Sequence, residues 1–180
     1  MYNARMATII YIIAKTGFRD EEYFIPKEVL IAAGHTVVTG SNGNTGESAI
    51  GSRGGEALVD MTIADVQASV FDAVIFAGGP GALENLDNKD SYRIVREAVA
   101  QGKLLGAICI APTILAHAGV LQGKKATVWS SATDTSPITA LKEWGAKYVD
   151  APVTQDGAII TANRPKAAQA FGEALVAYLS

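Results

Sequence analysis

The single cysteine of this chain, Cys109, lies in the segment GAICIAP at residues 106–112, between an apolar run and a predicted helix. A sharp strand–turn–helix connection holds a nucleophile at the edge of a sheet and requires small neighbours, which the glycine and alanines of this segment supply. Pro112 suits the first helical turn, where a missing N–H removes no helical hydrogen bond. The positive end of that helix is expected to lower the pKa of the thiol. The segment therefore predicts a nucleophilic thiolate, with a buried, unreactive cysteine as the alternative.

A glycine-rich turn, FAGGPG at residues 76–81, ends another apolar run. Glycines at this position allow backbone N–H groups, here those of Gly78 and Gly79, to point into a cleft and hold an anion or an oxyanion. A plain turn is the alternative interpretation. The spacing matches neither G-x-G-x-x-G nor a P-loop, so no dinucleotide-binding or phosphate-binding motif is indicated.

Three consecutive acids open the first predicted helix in the segment GFRDEEYFIP at residues 17–26. Acids in a first helical turn commonly do no more than match the helix dipole. However, this loop follows the first predicted strand, and the carboxyl ends of parallel strands meet at one edge of a sheet. One of these carboxylates is therefore placed to contact the Cys109 thiol.

Short β-branched runs alternate with amphipathic segments along the chain, the pattern of a parallel sheet covered by helices on both faces. The predicted strands are 7–13, 35–40, 72–79, 103–109, 125–129 and 157–163, and the predicted helices are 20–34, 90–102, 111–121, 136–145 and 164–180. Glycines at 34, 102 and 145 stand where left-handed C-caps are expected. Residues 41–60, rich in Gly, Ser and Asn, predict a β-hairpin or irregular excursion. We expect one doubly wound α/β domain over residues 1–180.

Composition argues against several classes of function. The net charge is −3 with no basic run, so nucleic-acid binding has no electrostatic support. No apolar stretch reaches the roughly 20 residues of a membrane span, and residues 7–13 are interpreted as a buried strand rather than a signal peptide. One cysteine and two histidines make a zinc site unexpected, and the single thiol fits a cytoplasmic protein.

The ordered motifs resemble the ThiJ/PfpI family, which includes deglycases, chaperones and intracellular peptidases. The similarity rests on GAICIAPTILAHAGVLQGKKATVW, on AGGPGA, on an acid four residues before Pro26 and on DGAIITANRP before the last helix. The resemblance spans nearly the whole chain, and the set of motifs is more specific than any one of them. It implies a flavodoxin-like α/β/α sandwich and a homodimer.

Carried over by position, the resemblance makes Cys109 the nucleophile, Glu22 the carboxyl group that contacts it, and Gly78 and Gly79 the backbone site that faces the thiol. Partial burial and a neighbouring thiolate would both raise the pKa of Glu22. A neutral carboxyl could then donate a hydrogen bond to the thiolate, and the two groups would titrate as a coupled pair.

The sequence departs from the family pattern where family members carry a histidine. Ile110 follows the cysteine directly, and Trp129 stands in the next predicted strand, where it could narrow the pocket together with Pro112. His35 and His117 lie elsewhere and are interpreted as structural. Without a histidine to protonate a leaving amine, a peptidase or amidase is disfavoured.

A thiolate without a histidine partner can still attack a reactive carbonyl, which suggests a cofactor-free glyoxalase or deglycase-like enzyme that acts on small reactive carbonyls. In this hypothesis Cys109 forms a hemithioacetal, Glu22 transfers protons, and the N–H groups of Gly79 and Ile110 hold the oxyanion. The non-catalytic alternative is a redox-responsive stress protein whose Cys109 is oxidised to sulfenic or sulfinic acid.

Overall fold

A seven-stranded sheet forms the centre of the protein in a computed structural model that describes residues 6–180. The strands are β1 (Thr8–Ile13), β2 (Thr16–Phe18), β3 (Thr36–Ser41), β4 (Ser48–Gly51), β5 (Glu56–Leu58), β6 (Met61–Thr62), β7 (Ala73–Phe76), β8 (Leu104–Ile108), β9 (Lys125–Ala126), β10 (Lys147–Tyr148), β11 (Val153–Asp156) and β12 (Ile159–Ala162). The α-helices are α1 (Asp20–Ala32), α2 (Ala82–Leu86), α3 (Lys89–Ala100), α4 (Pro112–His117), α5 (Ser136–Glu143) and α6 (Ala168–Leu179).

The strand order of the main sheet is β11-β12-β8-β7-β1-β3-β6. Its neighbours pair in parallel except β11 and β12, which form an antiparallel pair at one edge. Between β3 and β12, the parallel strands follow the flavodoxin-like order 2-1-3-4-5 when counted along the chain. The order reverses between β1 and β7, and ligands of such sheets bind at the carboxyl ends of the strands beside this switch point.

The central strands are buried on both faces, which explains their near-continuous apolar sequences. All residues of β7 and β8 are buried, as are all but the first of β1. Gly106, in the middle of β8, allows α6 to approach closely, because a Cβ there would lie 3.1 Å from Phe171 and 3.2 Å from Leu175 of that helix. Helices α1 and α6 pack together in one layer, while α3 and α4 pack against each other and against β8 in the other. The expected α/β architecture is confirmed.

Helix ends follow the predicted glycines. Gly34, Gly102 and Gly145 have φ values of 88°, 64° and 83°, the left-handed conformation that terminates a helix. The helix expected over 111–121 is shorter and ends at His117, because Gly119 adopts a φ of 83° and Val120 N–H donates to the carbonyl of Leu115.

The irregular segment at residues 41–60 contains the predicted hairpin, formed by β4 and β5, and β4 also pairs in parallel with β2.

The prediction of a strand over 125–129 in the main sheet was wrong. Only β9 is extended there, and it pairs with β10 in a separate two-stranded sheet. The reason is tertiary: the chain beyond β9 turns toward the site, where Trp129 N–H donates to the carbonyl of Cys109 at 2.8 Å. Among the helices within residues 6–180, none combines the length and apolarity that crossing a membrane would require.

Candidate active site

Cys109 follows the last residue of β8 in a strained backbone conformation. Its φ is 64°, and within residues 6–180 it is the one non-glycine residue with a positive φ. Such a conformation costs about 1–2 kcal/mol in a residue with a Cβ. The turn is held from both sides, because Cys109 N–H donates to the carbonyl of Ala162 at 2.9 Å while its own carbonyl accepts from Trp129. The sharp strand-to-helix turn expected from the sequence is therefore present, and it presents a half-buried thiol.

Glu22, in the first turn of α1, is fully buried and faces this thiol. Its Oε2 accepts a hydrogen bond from Gly78 N–H at 2.9 Å. Its Oε1 is buried without a hydrogen-bond partner among the nitrogen and oxygen atoms of residues 6–180. A proton on Oε1 would give this atom a donor to offer to the sulfur, while Oε2 kept its bond to Gly78.

Burial raises the pKa of both members of the pair. For Glu22, burial raises the pKa to about 7, against the opposing hydrogen bonds of Cys109 and Gly78. For Cys109, burial raises the pKa above its usual value, and the charge and hydrogen bond of Glu22 raise it further. The two groups therefore share one proton above neutral pH, and the pair carries a single negative charge.

The backbone N–H group at the start of α4 lowers the thiol pKa, as expected, but burial and an ionised Glu22 raise it more, so the net shift is upward. Helix α4 has only six residues, and the N–H groups of Ile110 and Gly79 lower the pKa less than burial and Glu22 raise it. Whether the sulfur is ionised therefore depends on where the pair holds its proton.

The glycine turn after β7 places two N–H groups in different roles. Gly79 N–H, like that of Ile110, faces the sulfur of Cys109. Gly78 N–H instead donates to Glu22, although Gly78 itself lies against Cys109. Both positions exclude a side chain: a Cβ on Gly78 would lie 2.8 Å from that of Cys109, and one on Gly79 would lie 2.4 Å from the backbone nitrogen of Arg19.

A cavity of about 370 Å³ opens over the thiol. It is lined by Arg19, Glu22, Gly79, Pro80, Leu83, Cys109, Ile110, Trp129 and Pro165. Trp129 thus lies where a pocket residue was expected. Pro112, also expected to line the pocket, does not line the cavity and is buried in the first turn of α4.

The structure adds lining residues that sequence reasoning missed. Arg19 lies in the acidic segment GFRDEEYFIP at residues 17–26. Its position directly before three acids was the one sequence signal that could have indicated a place at the site. Pro80 and Leu83 follow the glycine turn that was already recognised. Pro165 comes from the connection after β12, and its sequence distance from Cys109 hid its place at the site.

Neither histidine reaches the cavity. His35 is buried, and its Nδ1 accepts a hydrogen bond from Ala7 N–H at 3.2 Å. His117 pairs with Asp87 at 2.8 Å and lies against the ring of Trp144. The cavity therefore contains a Cys–Glu pair and no Cys–His dyad. Over residues 6–180, no group of three or more His, Cys, Asp or Glu side chains is arranged to hold a metal ion.

Comparison with known proteins gives consistent matches. A family model described as the DJ-1/PfpI family matches residues 8–178. An uncharacterized protein of Methanocaldococcus jannaschii is 38% identical over 171 residues, covering 94% of this chain and 81% of that protein. Deglycase PfpI of Pyrococcus furiosus is 31% identical over 158 residues, covering 87% of this chain and 90% of that protein.

Among solved structures, Drosophila melanogaster DJ-1beta matches with a TM-score of 0.85 and 32% identity, covering 97% of this chain and 91% of that one. The ordered motifs around Cys109 predicted the same relationship, and the chain belongs to the DJ-1/PfpI family.

Proposed function

We propose that this protein is a cofactor-free enzyme of the deglycase type that uses Cys109 to act on small α-oxoaldehydes or their early adducts. One observation carries the proposal: the thiol, the Glu22 carboxyl and the N–H groups of Gly79 and Ile110 converge in a cavity of small-molecule size. Relatives named deglycases support an enzyme of the deglycase type.

The first step is addition of the Cys109 sulfur to the aldehyde carbon. The carbonyl oxygen gains negative charge, and the N–H groups that face the sulfur are placed to stabilise it. Glu22 then gives its proton to this oxygen, which completes a hemithioacetal. A carboxyl whose pKa is about 7 can serve as the acid here and as the base afterwards at neutral pH.

The second step is a proton transfer within the adduct. The Glu22 carboxylate removes the proton on the former aldehyde carbon and returns it to the neighbouring ketone carbon, while the hydroxyl proton of the adduct moves to the ketone oxygen. The product is a thioester of a 2-hydroxy acid. Water then hydrolyses the thioester and restores the thiol. The sum is one α-oxoaldehyde and one water converted to one 2-hydroxy acid, so no external oxidant or reductant is needed.

Two alternatives follow from the same thiol. Amide cleavage needs an acid at the leaving amine, and the absence of a histidine from the cavity lining disfavours a peptidase. Oxidation of Cys109 in a redox-responsive protein is favoured by the half-buried position of the sulfur in an open cavity.

The test is chromatographic detection of lactate formed from methylglyoxal by the wild type, Cys109→Ser and Glu22→Gln. We expect turnover by the wild type, a loss of at least about a hundredfold in Glu22→Gln, the usual contribution of one positioned proton-transfer group, and a loss at least as large in Cys109→Ser, which lacks the nucleophile. Equal rates for the wild type and Cys109→Ser at saturating aldehyde would refute the proposal. Stoichiometric oxidation of Cys109 at low peroxide, seen by mass spectrometry without turnover, would instead support the redox function.

A further inference from the structure

Arg19 is held at the entrance of the candidate site by its own backbone. It lies between β2 and α1, and its N–H donates to the carbonyl of Gly78 at 3.0 Å, beside the turn that contacts Glu22 and the thiol. Arg19 lines the cavity, its side chain is 26% exposed, and its positive charge opposes the burial that raises the pKa of Glu22. Among the lining residues within 6–180, Arg19 is the one cation and Glu22 the one acid.

The guanidinium of Arg19 is oriented by Glu21. Nε donates to Oε2 of Glu21 at 2.8 Å, and Nη2 donates to Oε1 at 3.3 Å. Nη1 makes no hydrogen bond to another residue in the part of the chain that the structure describes. A guanidinium whose Nε and Nη2 bind one carboxylate keeps N–H donors on Nη1 for a ligand. Its planar arrangement of donors matches the two oxygens of a carboxylate.

The other side chains around the opening give a substrate little to bind except apolar surface. The remaining lining residues apart from Gly79 and Cys109 are apolar or aromatic: Pro80, Leu83, Ile110, Trp129 and Pro165. A substrate whose aldehyde carbon contacts Cys109 therefore finds its polar anchor at Arg19. We propose that Arg19 selects substrates by charge, favouring α-oxoaldehydes that carry a terminal carboxylate; the aldehyde part of this inference rests on the proposed function.

The first experiment tests the charge selection without any turnover. Cys109 is alkylated with iodoacetate and, separately, with iodoacetamide, and the ratio of the two rate constants is compared between proteins. Both reagents attack the same thiolate, so a changed thiol ionisation cancels in the ratio. The main variant is Arg19→Gln combined with Glu21→Gln, which has the same net charge as the wild type.

We expect the iodoacetate-to-iodoacetamide ratio to fall about fivefold in this double variant, the upper range for a partly exposed charge pair. Glu21→Gln alone should raise the ratio, because the guanidinium loses its competing carboxylate. Lys103→Gln serves as the matched control, since Lys103 lies at the amino end of β8, opposite Cys109, and should leave the ratio unchanged. An unchanged ratio in the double variant, or a lowered one in Glu21→Gln, overturns the role of Arg19.

The second experiment tests the substrate class. The kcat/KM for dioxovalerate, a five-carbon α-oxoaldehyde with a terminal carboxylate, is compared with that for its neutral methyl ester. We expect the wild type to prefer the acid and the double variant to lose about fivefold of that preference. Equal preference in both proteins overturns the inference. Failure of the wild type to convert either compound refutes the proposed function instead, and the alkylation ratio still decides whether Arg19 recognises anions.

Discussion

The buried carboxyl of Glu22 should make stability depend on pH in a way that one substitution removes. Burial raises its pKa from 4.5 to about 7 in the folded protein. A raised carboxyl pKa means that the folded state binds the proton more tightly than the unfolded state. The stabilisation is therefore complete below pH 4.5 and is lost as the pH rises through about 7.

The size of this effect follows from the shift itself. Each pKa unit corresponds to about 1.4 kcal/mol, so the contribution of Glu22 amounts to about 3 kcal/mol. Because Glu22 is fully buried, solvent screening does not reduce this value appreciably. In Glu22→Gln the side chain keeps an oxygen that can accept from Gly78 N–H, but it no longer titrates. The pH dependence of the unfolding free energy that is due to Glu22 should therefore vanish.

Urea unfolding at pH 4.5 and pH 7.5 measures the effect. Relative to Glu22→Gln, the wild type should lose about 3 kcal/mol of unfolding free energy between these pH values. Cys109→Ala should retain at least this loss, because burial causes the upward shift and the hydrogen bond of Cys109 opposes it. Parallel pH profiles for the wild type and Glu22→Gln would refute the reasoning.

Two further predictions concern the thiol and the turn that faces it. In stopped-flow measurements, the rate of Cys109 alkylation by iodoacetamide should rise through an inflection near pH 7, where the pair loses its first proton. The inflection should lie at higher pH in Glu22→Gln, because burial still raises the thiol pKa and no carboxyl group is left to donate a proton to the sulfur. Identical inflections in the two proteins would exclude a shared proton. Gly79→Ala should destabilise the protein more than Gly46→Ala by about 1–3 kcal/mol in urea unfolding, because both glycines have positive φ but only a Cβ on Gly79 meets backbone atoms. Equal losses would mean that the close approach of Arg19 to this turn is unimportant.

The elements of the sheet could be predicted because their causes are local. The apolar runs that became β1, β7 and β8 must be buried on both faces, and glycines mark the ends of α1 and α3 whatever packs around them. The strand expected over 125–129 failed because pairing partners, and not composition, decide whether an apolar segment joins a sheet.

Residue types and order alone determined the family, the α/β class and the candidates Cys109 and Glu22. Only the tertiary structure decided that Gly78 N–H serves Glu22 and not the thiol, that Arg19 enters the cavity and that Pro112 does not. It also decided that burial raises the pKa of both members of the pair. The physical reason is that hydrogen-bond direction and desolvation depend on which distant segments meet, and the meeting of β1, β7, β8 and β12 at one edge is a property of the folded sheet.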